Sequence, residues 1–318
     1  MKIKGIGACL FLTIAIMLIS CSNGDTYEIQ SFKVENTQVI TDLKNVNSEL
    51  LSTVPSGTRW TGKEKMQVVS ADIGGAWGGG RIGGRAGGSI GMAFGNPITG
   101  AVFGAFLGGV IGGAYASWLA APAEMVDIAD NSQSIEGVCK ILINDDMSIN
   151  ESAINRSALR AAESTTTNKL DVEEELIIES KLDENSLNIG KTHNIILSVM
   201  DGSVILQNEE QALLDSSNLK EALFNSEIFI DSCKAMGADA SVGRLSTSDT
   251  ILSKVMELFN QVLEGYALKT DDVAFIIGKY VDVIEESNEL TTEQKQCIKS
   301  GLATALYSFK YWESTFEE

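Results

Sequence analysis

Apolar residues follow three different patterns along this chain. Behind Lys2 and Lys4 comes an uncharged apolar run, Ile6 to Ile19. In the middle, glycine and apolar residues alternate at close intervals from about Val68 to Leu119, and no charge falls between Arg85 and Glu124. From Glu124 onward the chain is acidic and proline-free, with apolar positions three and four apart, the spacing of amphipathic helices. Ile251, Val255, Leu258, Phe259 and Val262 make one such face, and Val273, Ile276, Ile277, Tyr280, Val281 and Ile284 make another. Thr291 and Gln294 have capping-box spacing ahead of a last helix carrying Ile298, Leu302, Leu306, Phe309 and Tyr311. The Ser-, Thr- and Ala-rich stretch 157–170 reads as a linker or a helix start. The expected fold is mainly α, a glycine-lined helical hairpin followed by an all-α domain.

Seventeen of the thirty glycines lie between Gly74 and Gly113. Gly75, Gly79, Gly83, Gly87, Gly91 and Gly95 recur every fourth residue, Gly80, Gly84 and Gly88 run parallel to them, and Gly100, Gly104, Gly108 and Gly112 resume the period. On a helix these rows are stripes without side chains, along which another helix can approach closely. Asn96 and Pro97 interrupt the stretch, because proline cannot continue a helix and expels its predecessor from helical geometry. Two arms are expected, about Val68 to Gly95 and Ile98 to Leu119, each around 30 to 40 Å long at ~1.5 Å per residue. Each glycine costs a free helix about 1 kcal/mol, on the order of 15 kcal/mol for all of them, so packing or lipid must offset the loss. The second arm is apolar enough to span a bilayer, with Tyr115 and Trp118 as interface aromatics. Arg81 and Arg85 weigh against the first arm doing so. A hairpin buried in the protein's own body satisfies the same pattern.

The first pattern is that of an export signal. Leu18, Ile19, Ser20, Cys21 resembles the lipobox of bacterial lipoproteins. That resemblance implies cleavage after residue 20 and acyl chains (diacylglycerol, palmitate) on Cys21, a stable anchor when two or three chains are attached. Ser22 rather than aspartate follows, which by the same resemblance implies sorting to the outer membrane, facing the periplasm or the cell surface. Four segments result: signal peptide 1–20, tether and N-terminal segment 21–66, glycine-zipper hairpin 67–123, acidic helical domain 124–318.

The quoted glycines carry a second resemblance. Gly-Gly-Ala-Trp-Gly-Gly-Gly-Arg-Ile-Gly-Gly from Gly74 and Gly-Ala-Phe-Leu-Gly-Gly-Val-Ile-Gly-Gly-Ala from Gly104 are similar to glycine-zipper regions of bacterial outer-membrane lipoproteins, and to Gly/Ala-rich peptides of two-component bacteriocins. It implies helix packing, self-association or membrane insertion.

Charge narrows the partners. Losing Lys2 and Lys4 takes the formal net charge from −19 to −21, which repels nucleic-acid phosphates, so none is expected as a partner. Processing leaves Cys139, Cys233 and Cys297, an odd number with no C-x-x-C spacing, so at most one internal disulfide forms and no thiol-based metal knuckle exists. Three buried small side chains is the equal alternative.

Candidate chemistry is sparse. His193, the single histidine, sits in Gly190-Lys191-Thr192-His193-Asn194 at an expected helix start. No G-x-S-x-G motif supplies a nucleophile for it. Gly190-Lys191-Thr192 has the ending of a phosphate loop, but Asn185 occupies the position of the required earlier glycine. The acidic groups Asp145/Asp146, Glu173–Glu175, Glu209/Glu210 and Asp271/Asp272 lack a calcium-loop pattern and read as solvated surface. Tyr307, Phe309, Tyr311 and Trp312 are an interaction edge or a closing core. The expectation is a non-enzymatic envelope lipoprotein without metal or cofactor, bound to the bilayer through Cys21 and self-associating through its glycine zipper. A bacteriocin-type membrane-active toxin and an accessory module of an envelope complex are the alternatives.

Overall fold

The computed structural model describes residues 37–53, 63–121, 134–154, 170–206, 218–243, 250–266 and 269–316. Cys21, the signal segment, and Glu209 and Glu210 lie outside the described residues. The fold is mainly α. Helices α1 (Gln38–Thr53), α2 (Lys63–Ala93), α3 (Pro97–Ala120) and α4 (Ile135–Leu142) are followed by a 3-10 turn at Glu151–Ala153. Then come α5 (Glu174–Ser180), α6 (Glu184–Met200), α7 (Asn218–Phe224), α8 (Glu227–Ser241), α9 (Thr250–Gly265), α10 (Thr270–Glu286) and α11 (Thr292–Phe316). Only isolated bridges, Ile143 with Ile149 and Ile154 with Leu206, supply β-type pairing among the described residues.

Helices α2 and α3 form the expected hairpin. The Asn96 side chain caps α3 by accepting from the Thr99 amide, and Pro97 occupies the first turn, where its missing N–H costs nothing. Gly95 departs from expectation. It stands in the turn at φ +77, and a Cβ there would meet nothing within 4 Å, so it is not a member of the packing row. The first arm ends two residues earlier, at Ala93, and Gly95 lets the chain reverse through the left-handed region that L side chains avoid.

The hairpin lies at the centre of the molecule, and the compositional boundary at residue 124 does not separate two cores. Val68, Val69, Ile73 and Trp77 of α2 share one apolar cluster with α1, α9, α10 and α11. Phe103, Phe106, Leu107, Val110 and Ile111 of α3 share another with α4, α6 and α8. Helix α3 alone is long and apolar enough to cross a membrane among the described helices, and 72% of its window is buried inside the protein. Tyr115 and Trp118, expected at a lipid interface, pack partly buried against the second cluster.

Helix α11 runs antiparallel to α2: Glu293, Cys297, Gly301 and Ser308 meet Gly84, Gly80, Trp77 and Asp72 in turn. Its start is held by the capping box, with Thr291 N donating to Gln294 Oε1 at 2.9 Å and Gln294 N to Thr291 Oγ1 at 3.1 Å. Trp77 lies over Gly301 and donates Nε1–H to the Ile298 carbonyl at 3.0 Å. Helix α8 also runs against α2, placing Met236 at Gly78 and Ala240 beside Ala71 and Ala116. Helix α1 closes over the C-terminal helices: Asn47 Nδ2 donates to the Leu258 carbonyl at 2.7 Å, and the Tyr280 hydroxyl donates to Asn47 Oδ1 at 2.7 Å.

Candidate functional site: the glycine hairpin and its buried polar cluster

Gly75, Gly79, Gly83 and Gly87 of α2 lie opposite Gly112, Gly108, Gly104 and Gly100 of α3, and Gly91 closes the row against Gly100 and Asn96. A Cβ added to these four glycines of α2 would fall 2.3, 2.1, 1.9 and 2.0 Å from the facing carbonyl oxygens. Apart from the Ala116 Cβ beside Gly75, only backbone occupies that seam. Any side chain at these positions must drive the helices apart, which explains why the period of four is uninterrupted on both arms. Gly80, Gly84 and Gly88 flank the seam less tightly, with the nearest atoms to an added Cβ at 3.3, 3.4 and 3.5 Å. The main face is therefore satisfied within one chain. Gly237 of α8 makes a second close approach, to the Gly112 carbonyl and Tyr115.

At the base of the hairpin four helices converge on Asp72. Ser308 Oγ of α11 donates to Asp72 Oδ2, as does Trp312 Nε1 at 3.3 Å, and His193 Nε2 of α6 stands 3.7 Å from the same oxygen. Ser117 of α3 lies beside it. Asp72, Ser117, His193 and Ser308 have no exposed surface. Asp72 Oδ1, Ser117 Oγ and His193 Nε2 carry no hydrogen bond of acceptable geometry.

The 3.7 Å separation is short enough for an ion pair, but solvation opposes charging either group. Burial pushes the Asp72 carboxyl up to about 8, against smaller lowering by the hydrogen bonds from Ser308 and Trp312 and by the Ser117 hydroxyl beside it. Burial takes the His193 imidazole down to about 4, opposed by its bond to Asn194. Between these values both are neutral. His193 Nδ1 lies 3.1 Å from Asn194 Oδ1, an acceptor, so Nδ1 carries the proton and the Nε2 lone pair faces the protonated carboxyl.

Serine, histidine and aspartate thus meet, but not as a nucleophilic triad. Ser308 donates to the carboxyl rather than to the imidazole, and all three are sealed from solvent, so no base is positioned to activate an accessible hydroxyl. The sequence pattern missed this cluster. Asp72 is the one acid inside the glycine-rich first arm, an intrusion that was the available signal.

His193 also differs from expectation in its placement. It lies in the middle of α6, whose start is capped by Asp183 accepting from Ser186 N at 3.0 Å. Gly190 is there because Tyr307 and the Ala303 carbonyl of α11 crowd the position, leaving no room for a Cβ. Arg81 is buried and Arg85 exposed.

Among the described acidic groups, Asp146, Glu173 and Asp272 serve as caps and surface partners. Asp146 accepts from Ser148 N at 3.0 Å, Glu173 pairs with Lys310 at 2.5 Å, and Asp272 accepts from Lys269 N at 3.0 Å. Among the described residues no group of three or more His, Cys, Asp or Glu is placed to hold a metal ion. Cys139, Cys233 and Cys297 are buried and form no disulfide, and burial pushes the first two thiols well up. Tyr307, Phe309, Tyr311 and Trp312 are buried in the first core cluster. Comparison with protein-family models, with curated proteins and with solved structures returns no match.

Proposed function

We propose that the chain is a non-enzymatic lipoprotein of the bacterial outer membrane, anchored through acyl chains on Cys21, with its glycine hairpin acting as the packing spine of an acidic helical body. The observation that carries the spine is the backbone-to-backbone seam of Gly75, Gly79, Gly83 and Gly87 against Gly112, Gly108, Gly104 and Gly100. The order Leu18-Ile19-Ser20-Cys21 supports the anchor. Support for a binding or structural role over catalysis comes from the sealing of Asp72, His193 and Ser308 within the core.

The test of the anchor is metabolic labelling with an alkyne-tagged palmitate, with intact-mass analysis of the mature protein. Label on the wild type and none on Cys21→Ser is expected; equal labelling of both, or none on either, overturns it. A second reading, a membrane-active toxin, is favoured by the charge-free stretch between Arg85 and Glu124. Release of an entrapped dye from vesicles on adding the protein supports that reading, and intact vesicles favour the first.

A further inference from the structure

Among the described helices α11 stops short of the far end of the hairpin, where Ala86 and Ile90 still pack against the second cluster but the turn and its flanking residues do not. Helix α11 starts at Thr292, and its Glu293 reaches only to Gly84. From there α2 continues nine residues to Ala93, about 14 Å at ~1.5 Å per residue, before the chain turns. The apolar side chains on this apex are exposed: Ile98 by 77%, Met92 by 56%, Phe94 by 49% and Val102 by 37%. They sit together on two helix ends and the turn that joins them, a convex point with no charge beyond Arg85. Grouped apolar exposure of this kind marks an interaction site, unlike scattered single residues.

The chain that leads to Cys21 enters at the same end of the molecule. Val39 N, at the start of α1, donates to Glu289 Oε2 at 3.0 Å, and Glu289 lies just ahead of α11, whose Glu293 is the neighbour of Gly84. Sixteen residues separate Cys21 from Gln38, an upper reach on the order of 55 Å at ~3.3–3.6 Å per residue. An acyl anchor on Cys21 therefore leaves the apex within reach of the bilayer.

We propose that the hairpin apex is a membrane-docking wedge: Met92, Phe94, Ile98 and Val102 enter the interfacial layer of the bilayer that holds Cys21, while the rest of α3, from Phe103 onward, remains inside the protein. The proposal rests on the lipoprotein reading for its geometry. Glu289 and Glu293 stand at the same end and Arg85 is exposed on the α2 flank, so binding is driven by the apolar side chains and gains little from anionic lipid.

The test uses the full-length lipidated protein in phosphatidylcholine/phosphatidylethanolamine vesicles, with an environment-sensitive fluorophore on Ile98→Cys. Val242→Cys is the control, because α8 ends at the opposite, Ala71 end of the hairpin. A blue shift and quenching by brominated lipid at position 98 but not 242 is expected. A water-like spectrum at 98 that iodide quenches, in a protein shown by palmitate labelling to be acylated, overturns the docking and leaves the lipoprotein reading intact. A shift that appears without vesicles and grows with protein concentration also overturns it, placing a second copy on the apex.

If labelling shows no acylation, the same chain is co-sedimented with added vesicles. Binding that falls at least about tenfold in Met92→Ser/Phe94→Ser/Ile98→Ser, equivalent to about 1.4 kcal/mol, supports the wedge. Equal sedimentation of wild type and variant overturns it.

Discussion

Replacing Asp72 with asparagine makes the buried polar cluster measurable. The carboxyl ionises at about 3.8 in an unfolded chain and at about 8 in the folded protein, so between those values only the unfolded state gives up the proton. A raised acid pKa means that the folded state binds the extra proton, and stability falls as pH rises through this window. The slope is about 1.4 kcal/mol per pH unit and flattens near pH 8, a total of roughly 4 kcal/mol between pH 5 and pH 8.

His193 acts in the opposite sense. Its folded value of about 4 against 6.5 unfolded removes stability as pH falls from 6.5 toward 4. The two slopes cancel between pH 4 and 6.5 in the wild type, and only the Asp72 loss shows above. Asparagine keeps an acceptor for Ser308 and Trp312 and offers an amide N–H toward His193 Nε2, but cannot ionise. Urea unfolding of both proteins from pH 5 to 8 isolates the effect, because titrating groups remote from Asp72 cancel in the difference. Asp72→Asn is expected to gain on the wild type steadily with pH, by roughly 4 kcal/mol over the range. A pH-independent difference would refute the raised Asp72 value and show that the folded protein holds no extra proton at this cluster.

The seam predicts opposite outcomes for two alanines. Gly83→Ala puts a Cβ 1.9 Å from the Gly104 carbonyl oxygen and is expected to destabilise by about 3 kcal/mol, whereas Gly88→Ala meets Ala101 at 3.5 Å and is expected to stabilise by up to about 1 kcal/mol through helix propensity. Urea midpoints for the pair check both signs. Gly95→Ala has open space but φ +77, so a loss of about 1 kcal/mol is expected from backbone strain alone. Cys139, Cys233 and Cys297 are expected to resist iodoacetamide in the native protein and to alkylate fully in urea, read by intact mass, because burial withholds access from all three and thiolate from Cys139 and Cys233.

The hairpin was legible because its cause is local: glycines four apart define a bare face, and Asn96-Pro97 defines a break, whatever surrounds them. The helical faces on α9, α10 and α11 were legible for the same reason. What covers the hairpin was not. The Trp77 contact with Gly301 and the α2–α11 pairing join residues more than two hundred positions apart, and no local period encodes them. Gly190 was misplaced at a helix start because a glycine beside polar residues reads as punctuation, while its reason is the approach of Tyr307 and Ala303 from another helix. Gly95 continued the numerical period of its row, but the chain had already turned.

The stitching of α1 to Leu258 and Tyr280 has a consequence for biosynthesis. A ribosome releases α1 and the glycine arms long before α9 and α10, and Trp77 waits for α11, more than two hundred residues later. Until α11 emerges, the face of α2 that carries Val68, Val69, Ile73 and Trp77 lacks part of its cover, so a premature stop that removes α11 leaves an aggregation-prone polypeptide rather than a slightly shorter protein.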